Sequence, residues 1–329
     1  MTGNGADAGD SEQAKPTGAG RAAPAAMAAA HSGTIPGAPG AAVFTLTSRR
    51  GAAMPIVLAV PHAGRTYPAD VLAQMRDPDH STLRLEDRLA DLLGIAIARE
   101  TGAALLVAHA PRAMIDLNRA PDDVDWEMIA ANRPRIPPRL GGGRRAGSGL
   151  GLIPRRLPGL GEVWKRPLPA ADLEARIEHI HKPYHAALGR QIEAMRDRWG
   201  AVLLIDLHSM PPLGPKHGPA AAADFVLGDR FGASCDPSLS AVALDHFGAA
   251  GRMAAHNRPY AGGYVLDRHA APGRGIHAMQ IEVCRTAYLD AAMREPGPGM
   301  ADTIAVLTGL VHRLSAMLIG FSDLQQAAE

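Results

Sequence analysis

The segment AVLLIDLHS, Ala201 to Ser209, is apolar without a break through Ile205 and then turns polar at Asp206, His208 and Ser209. Following the helix stop expected at Trp199-Gly200, such a run predicts a strand of a parallel sheet covered on both faces. In open α/β sheets ligands bind outside the carboxyl ends of the strands, so His208 stands where chemistry is done. Two other stretches repeat the arrangement. PIVLAVPHAG is apolar from Ile56 to Val60 and delivers His62 into a turn, while HAMQIEVCR carries Glu282 near the end of a short strand, on one face with Ala278 and Gln280. The expected class is α/β, a three-layer, mixed but largely parallel sheet with helices on both faces.

Histidines brought together from separate strand ends, with a carboxylate, are what a catalytic zinc site needs: three N/O ligands and an open position for water. Zinc lowers the pKa of that water to about 7 and polarises a carbonyl, and a nearby glutamate can take the proton. A lone histidine at a strand end is more often simply hydrogen-bonded. Two at equivalent places make coincidence a weaker explanation.

The whole chain narrows the setting. Lys and Arg total 34 against 33 Asp and Glu, a net charge of +1, so no basic excess points to a nucleic-acid partner. The two cysteines, Cys235 and Cys284, have no CxxC spacing and suggest free thiols in a reducing compartment. No continuous run of about 18 apolar residues argues for a transmembrane helix, and the acidic start with Asp7, Asp10 and Glu12 argues against an export signal. A cytoplasmic protein is expected, as a monomer or homodimer. Residues 1–40, rich in Ala, Gly and Pro, are expected to be a disordered tail, followed by one catalytic domain over 41–322.

Within that domain the apolar spacing of Leu85, Leu89, Leu92, Leu93 and Ile97 predicts a helix from Leu85 to Glu100, with Glu86, Asp87 and Asp91 in its first turns. Acids there complement the helix dipole or, alternatively, complete a metal site. Arg112 to Arg119 reads as a short strand with Asp116 and Asn118 on one face. A loop-like stretch follows, with a Pro/Gly-rich insertion at about 133–160, flexible or substrate-covering. From Leu173 to Trp199 the 3.6 period predicts a long helix, kinked near Pro183. Its HIHKPYH segment offers His179, His181 and His185. Two of these have i,i+4 spacing, but no HExxH motif is present, so packing or hydrogen bonding is the expected role.

The ordered motifs PHAGRTYP, LEDRLADLL, PRAMIDLNR, PYHAAL, DLHSMPP, ADFVLGDR, RPYAGGY and GIHAMQIEV, between about Phe44 and Asp290, resemble the N-formylglutamate amidohydrolase family. The resemblance implies a phosphorylase/hydrolase-like fold akin to zinc carboxypeptidases, and one Zn2+ per chain, or another divalent metal. The implied ligands are His62, His208 and a carboxylate, assigned to Asp87 over Glu86 because Asp91 follows it by four residues. Glu282 takes the place of the general base. Asp206, Asp116 and Glu86 are expected to orient the ligands.

The family's substrate is a small anionic N-acyl amino acid, so guanidinium groups for bidentate pairing are expected. Arg112, Arg119, Arg133 and Arg166 lie in or beside the matched motifs, as do Asn118 and Tyr260. The implied reaction is hydrolysis of N-formyl-L-glutamate to formate and L-glutamate, a step of histidine degradation. The alternatives are a related hydrolase of another N-acyl amino acid or peptide-like amide, and a binding protein without activity. A serine hydrolase using Ser209 lacks the G-x-S-x-G elbow.

Overall fold

The apolar runs Ile56–Val60, Ala104–Ala108 and 202–205 lie at the centre of the sheet. In a computed structural model, which describes residues 1–2, 27–30, 33–49, 53–130, 147–215 and 222–326, the strands are β1 (Met27–Ala30), β2 (Phe44–Arg49), β3 (Ile56–Val60), β4 (Ala104–Ala108), β5 (Arg156–Leu157), β6 (Gly161–Glu162), β7 (Val202–Met210), β8 (Phe225–Gly228), β9 (Ala254–His256) and β10 (Ile276–Cys284). Eight of them form one sheet in the order β1-β2-β4-β3-β7-β10-β8-β9, and β5 and β6 make a separate hairpin. The central β4, β3, β7 and β10 are mutually parallel. Their carboxyl ends therefore share one edge, which receives His62, His208 and Glu282.

The two-residue period of the strands divides the core. Val57, Ala59, Val202, Leu204 and Ala278 face one side, while Ile56, Leu58, Leu203, Ile205 and Met279 face the other. The helices are α1 (Ala69–Gln74), α2 (Pro78–Leu85), α3 (Ala90–Thr101), α4 (Ala170–Arg176), α5 (Lys182–Trp199), α6 (Pro237–Ala249), α7 (Tyr264–His269) and α8 (Met300–Gln326). On the first side α4 and α5 place Leu173, Tyr184, Leu188 and Ile192 against the sheet. On the second, α3, α6 and α8 contribute Ile97, Phe247, Leu310 and Leu314. Full burial of each such side chain stabilises the fold by about 1.5–3 kcal/mol. The Met300–Gly320 part of α8 is long and apolar enough to cross a membrane, yet Leu307, Leu310, Val311, Leu314 and Leu318 are packed in this core.

The expected and observed elements differ at four places. The helix predicted from Leu85 to Glu100 is two helices, because Glu86 is extended and Leu89 is left-handed at φ 58°. Arg112 to Arg119 is a series of turns, not a strand; its main chain is fixed by contacts such as Asp116 N–H to Leu152 O, 2.7 Å. The kink precedes Pro183, as a π turn over Ile177–His181 closed by Lys182 N–H to Ile177 O. Finally, Met27–Ala30 pairs with β2 and Ile35 is buried, so ordered chain begins before residue 41.

Candidate metal centre and active-site cleft

Side-chain alternation continues past the apolar part of β7 and β10. Asp206 and His208 fall on the face of Leu204, Gln280 and Glu282 on the face of Ala278, and the parallel register sets Gln280 beside Asp206 and Glu282 beside His208. Each pair is joined along its own strand, His208 Nε2 to Asp206 Oδ2 at 2.8 Å and Gln280 Nε2 to Glu282 Oε1 at 2.8 Å. His62 arrives from the turn after β3. That turn lies so close to the end of β4 that a Cβ on Gly64 would stand 2.2 Å from Ala110 O; only glycine fits. Asp87 comes from the break between α2 and α3, tied to the same turn by its N–H to His62 O, 2.9 Å.

His62, Asp87 and His208 are all buried, and one donor atom of each lies within 4.8 Å of the others. Asp87 Oδ2 is 3.0 Å from His208 Nδ1 and 3.6 Å from His62 Nδ1. The second distance is too long for a hydrogen bond, and His62 Nδ1 is a buried polar atom with no partner. Two ligand atoms each about 2.0–2.1 Å from one tetrahedral ion stand about 3.4 Å apart. The donor set thus fits a divalent cation of the zinc type. Carboxylates hold the far side of both rings, Asp116 Oδ1 at 2.8 Å from His62 Nε2 and Asp206 Oδ2 on His208 Nε2. With the Nε2 hydrogens directed there, both Nδ1 lone pairs face Asp87.

The charges are compressed into a buried space. Burial disfavours the Asp87 carboxylate, but the adjacent His208 and His62 imidazoles outweigh it and hold its pKa well below the usual range. Burial likewise opposes the His208 cation, and the charge and hydrogen bond of Asp206 turn the shift well upward. Asp116 is also held well below the ordinary carboxylate range, against its burial, chiefly by Arg112. For Glu282 burial prevails, pushing its pKa up to about 7, the range of a general base at neutral pH.

Around these residues is a cleft of about 510 Å³, lined also by Arg84, Arg112, Asn118, Arg119, Tyr260 and Arg285. Its chemistry is cationic at the rim and carboxylate-rich at the floor. N-formylglutamate amidohydrolase is the family whose model matches residues 54–289. The chain belongs to this family. It is therefore a hydrolase of amides. N-formylglutamate deformylase of Pseudomonas putida is 30% identical over 241 residues, 72% of this chain and 82% of that one. The enzyme of the same name from Pseudomonas aeruginosa is 28% identical over 287 residues, 84% and 96%. The crystal structure of N-formylglutamate amidohydrolase from Ralstonia eutropha superposes with a TM-score of 0.73 at 32% identity, covering 87% of this chain and 99% of that chain.

In this N-formylglutamate amidohydrolase family member, the residues predicted from sequence separate into groups. His62, Asp87, His208 and Glu282 converge, with Asp116 and Asp206 behind the histidines. Glu86 does not join them: its carboxylate is 3.4 Å from Arg88 Nη1. Arg112 and Arg119 line the cleft, although Arg112 already pairs with Asp116 Oδ2 through Nε at 3.0 Å and Nη2 at 2.9 Å. Arg166 is exposed and is not among the cleft-lining residues. It sits in a surface bend whose neighbour Trp164 is pulled inward by Nε1–H to Pro154 O, 2.8 Å. Arg133, and with it residues 131–146 of the Pro/Gly-rich insertion, lies outside the described residues; Leu150, Leu157 and Pro158 form part of the cleft wall.

Sequence reasoning missed Arg285 and Arg84. Arg285 is buried at the end of β10 and donates to Glu86 O, at 2.5 Å, to Leu83 O and to Ser209 Oγ. It braces the break that carries Asp87. Its only sequence cue is its place directly after the strand bearing Glu282. Ser209 Oγ is 3.3 Å from Asp87 Oδ1, so its proton goes to a carboxylate and not to a histidine base, the opposite of what a serine nucleophile needs.

Proposed function

We propose that the chain hydrolyses N-formyl-L-glutamate to formate and L-glutamate, with one zinc held by His62, Asp87 and His208. The observation that carries the reading is the convergence of these three donors, one of them an unpartnered buried nitrogen, beside a glutamate whose pKa is raised to about 7. The cation, when bound, supplies a Lewis acid for the formyl carbonyl and for water. Every other step belongs to side chains. Glu282, ionised near neutral pH, removes a proton from the water attacking the formyl carbon. As the C–N bond breaks, the protonated Glu282 gives that proton to the departing nitrogen, leaving formate and the free amine. Asp116 and Asp206 keep the imidazoles in one tautomer throughout. The substrate carboxylates would pair with cleft guanidinium groups, a role supported by Arg119 and Arg84 lining the cleft, and Arg112 would join through what Asp116 leaves open. Asn118 and Tyr260 complete the substrate wall.

The test is metal content together with formate release for the wild type and His208→Ala. About one zinc per chain is expected, lost in the variant with the activity. Zinc without formate would transfer the same apparatus to another N-acyl amino acid. A wild type that takes up no divalent metal after reconstitution would overturn the mechanism.

A further inference from the structure

A second group of histidines lies behind the cleft, away from the donor triad. His181, in the π turn, and His185, in α5, are both buried. His181 Nε2 is 2.9 Å from Arg119 O, and His185 Nε2 is 3.0 Å from Leu117 O. A carbonyl only accepts, so both nitrogens carry hydrogen. His185 Nδ1 is then an acceptor, and it lies 3.0 Å from His269 Nε2, which must donate. His185 and His269 form a hydrogen-bonded pair of neutral imidazoles, and His181 packs on His185 with ring centroids 4.4 Å apart. Burial supports this, lowering His181 to about 4 and His269 to about 3.

The two carbonyls flank Asn118. We propose that His181 and His185 are positioning residues that clamp the main chain of Leu117–Arg119 and so set Asn118 and Arg119 at the substrate end of the cleft. The inference rests on the reading of that cleft as the place where substrate binds. The segment has no helix or strand to fix it, so its buried carbonyls depend on side-chain donors. What it carries is sensitive to small displacements. Asn118 Oδ1 accepts from Val265 N–H at 2.9 Å, and Nδ2 donates to Gln280 Oε1 at 3.1 Å. There is no slack around this amide, since a Cβ on Gly263 would stand 2.6 Å from Asn118 Oδ1. Arg119 Nη1 donates to Asn118 O and Nε to Leu150 O, so its guanidinium spans from the clamped segment to the cleft wall.

Asp116 has anchors beyond the clamped segment, although its Oδ1 also accepts from Asn118 N–H at 2.8 Å and its main-chain O from Arg119 N–H at 3.1 Å. Its N–H bonds to Leu152 O at 2.7 Å and its carboxylate to Arg112. Loosening the clamp removes neither of these two anchors, so His62 should keep Asp116, and His208, whose Nε2 lies 3.2 Å from Asn118 Nδ2, should keep Asp206. A role confined to satisfying two carbonyls would change stability alone, whereas the clamp changes substrate affinity and leaves the metal in place.

The experiment compares wild type, His181→Phe, His181→Gln and His269→Ala for zinc content, formate-release kinetics and hydrogen exchange of peptides covering residues 114–122, with those from β7 as internal reference. Glutamine retains an N–H near the position of Nε2. For His181→Phe, a rise in KM of about tenfold is expected, the equivalent of one lost hydrogen bond, with kcat within about threefold. Zinc should stay at the wild-type level, exchange in 114–122 should quicken, and His181→Gln should return KM toward wild type. His269→Ala, at a half-buried ring, keeps the test open if His181→Phe does not fold, with the same changes in smaller measure. Unchanged KM, unchanged exchange, or a glutamine variant as impaired as phenylalanine would overturn the clamp. If the wild type releases no formate, the functional reading fails on its own. Exchange in 114–122 then decides the clamp, quickened exchange supporting it and wild-type exchange overturning it.

Discussion

His62 and His208 on one side of the cleft, and His181, His185 and His269 behind it, are groups of the same side chain under opposite electrostatics. The first pair faces carboxylates, Asp116, Asp206 and Asp87, at 2.8 to 3.6 Å. The second group faces main-chain carbonyls and one another. Both are buried, so desolvation penalises the cation in each. At His208 the nearby carboxylates outweigh that penalty and the pKa is raised, while His181, His185 and His269 are lowered. A cluster of anions round lone-pair-bearing nitrogens invites a metal; neutral rings on carbonyls make a brace. Composition cannot distinguish them, but their partners can.

The comparison breaks most completely at Glu282, the proposed base, which belongs to the first group alone. Glu282→Gln preserves shape and leaves Gln280 a partner, so zinc content should hold while kcat falls about 10²–10⁴-fold. Stopped formate release with metal retained would place the proton transfer there. Full activity would reassign it to another group.

Asp116→Asn sharpens the distinction by removing charge from behind His62 without changing its outline. Metal affinity, measured by competition with a chelator, should fall about 10–100-fold. Affinity equal to wild type would mean that Asp116 serves only Arg112 and the turn it belongs to.

How far the two groups could be read from the chain follows from what holds them. β3 and the first half of β7 were legible because burial on both faces leaves an unbroken apolar run, and the polar residues after each run mark the sheet edge. β10, interrupted by His277 and Gln280, was legible as a short strand that carries Ala278, Gln280 and Glu282 on one face. Asp87 was legible as a residue but not as a conformation. The periodicity of Leu85, Leu89, Leu92 and Leu93 continues through the break, and what opens the helix there is tertiary: Asp87 N–H on His62 O and Arg285 on Glu86 O. Arg285 itself is 199 residues from Glu86, beyond the reach of any local pattern. The alternation of Asp116 and Asn118 suggested a strand, yet the segment is shaped by Leu152, His181 and His185. Arg166 shows the converse error, an arginine beside a matched motif whose bend faces solvent.

A pH profile separates the titrating carboxyl of the first group from the neutral rings of the second. Glu282 has a pKa of about 7 because burial disfavours its charge, and the base must be ionised to work. The metal-free protein should therefore show a carboxyl titration near 7. A bound cation favours the carboxylate, so in the zinc-loaded enzyme the limb must move to lower pH, between the ordinary carboxyl value of 4.5 and about 7. Below it kcat/KM should fall about tenfold per pH unit, and above it the rate should level off. His181 and His269 stay neutral through this window, their pKa values being about 4 and 3, so the clamp adds no second limb above pH 5. The residual activity of Glu282→Gln should lack the limb. If it persists there at the same pH, the titrating group is another one, and the assignment of the base to Glu282 falls with it.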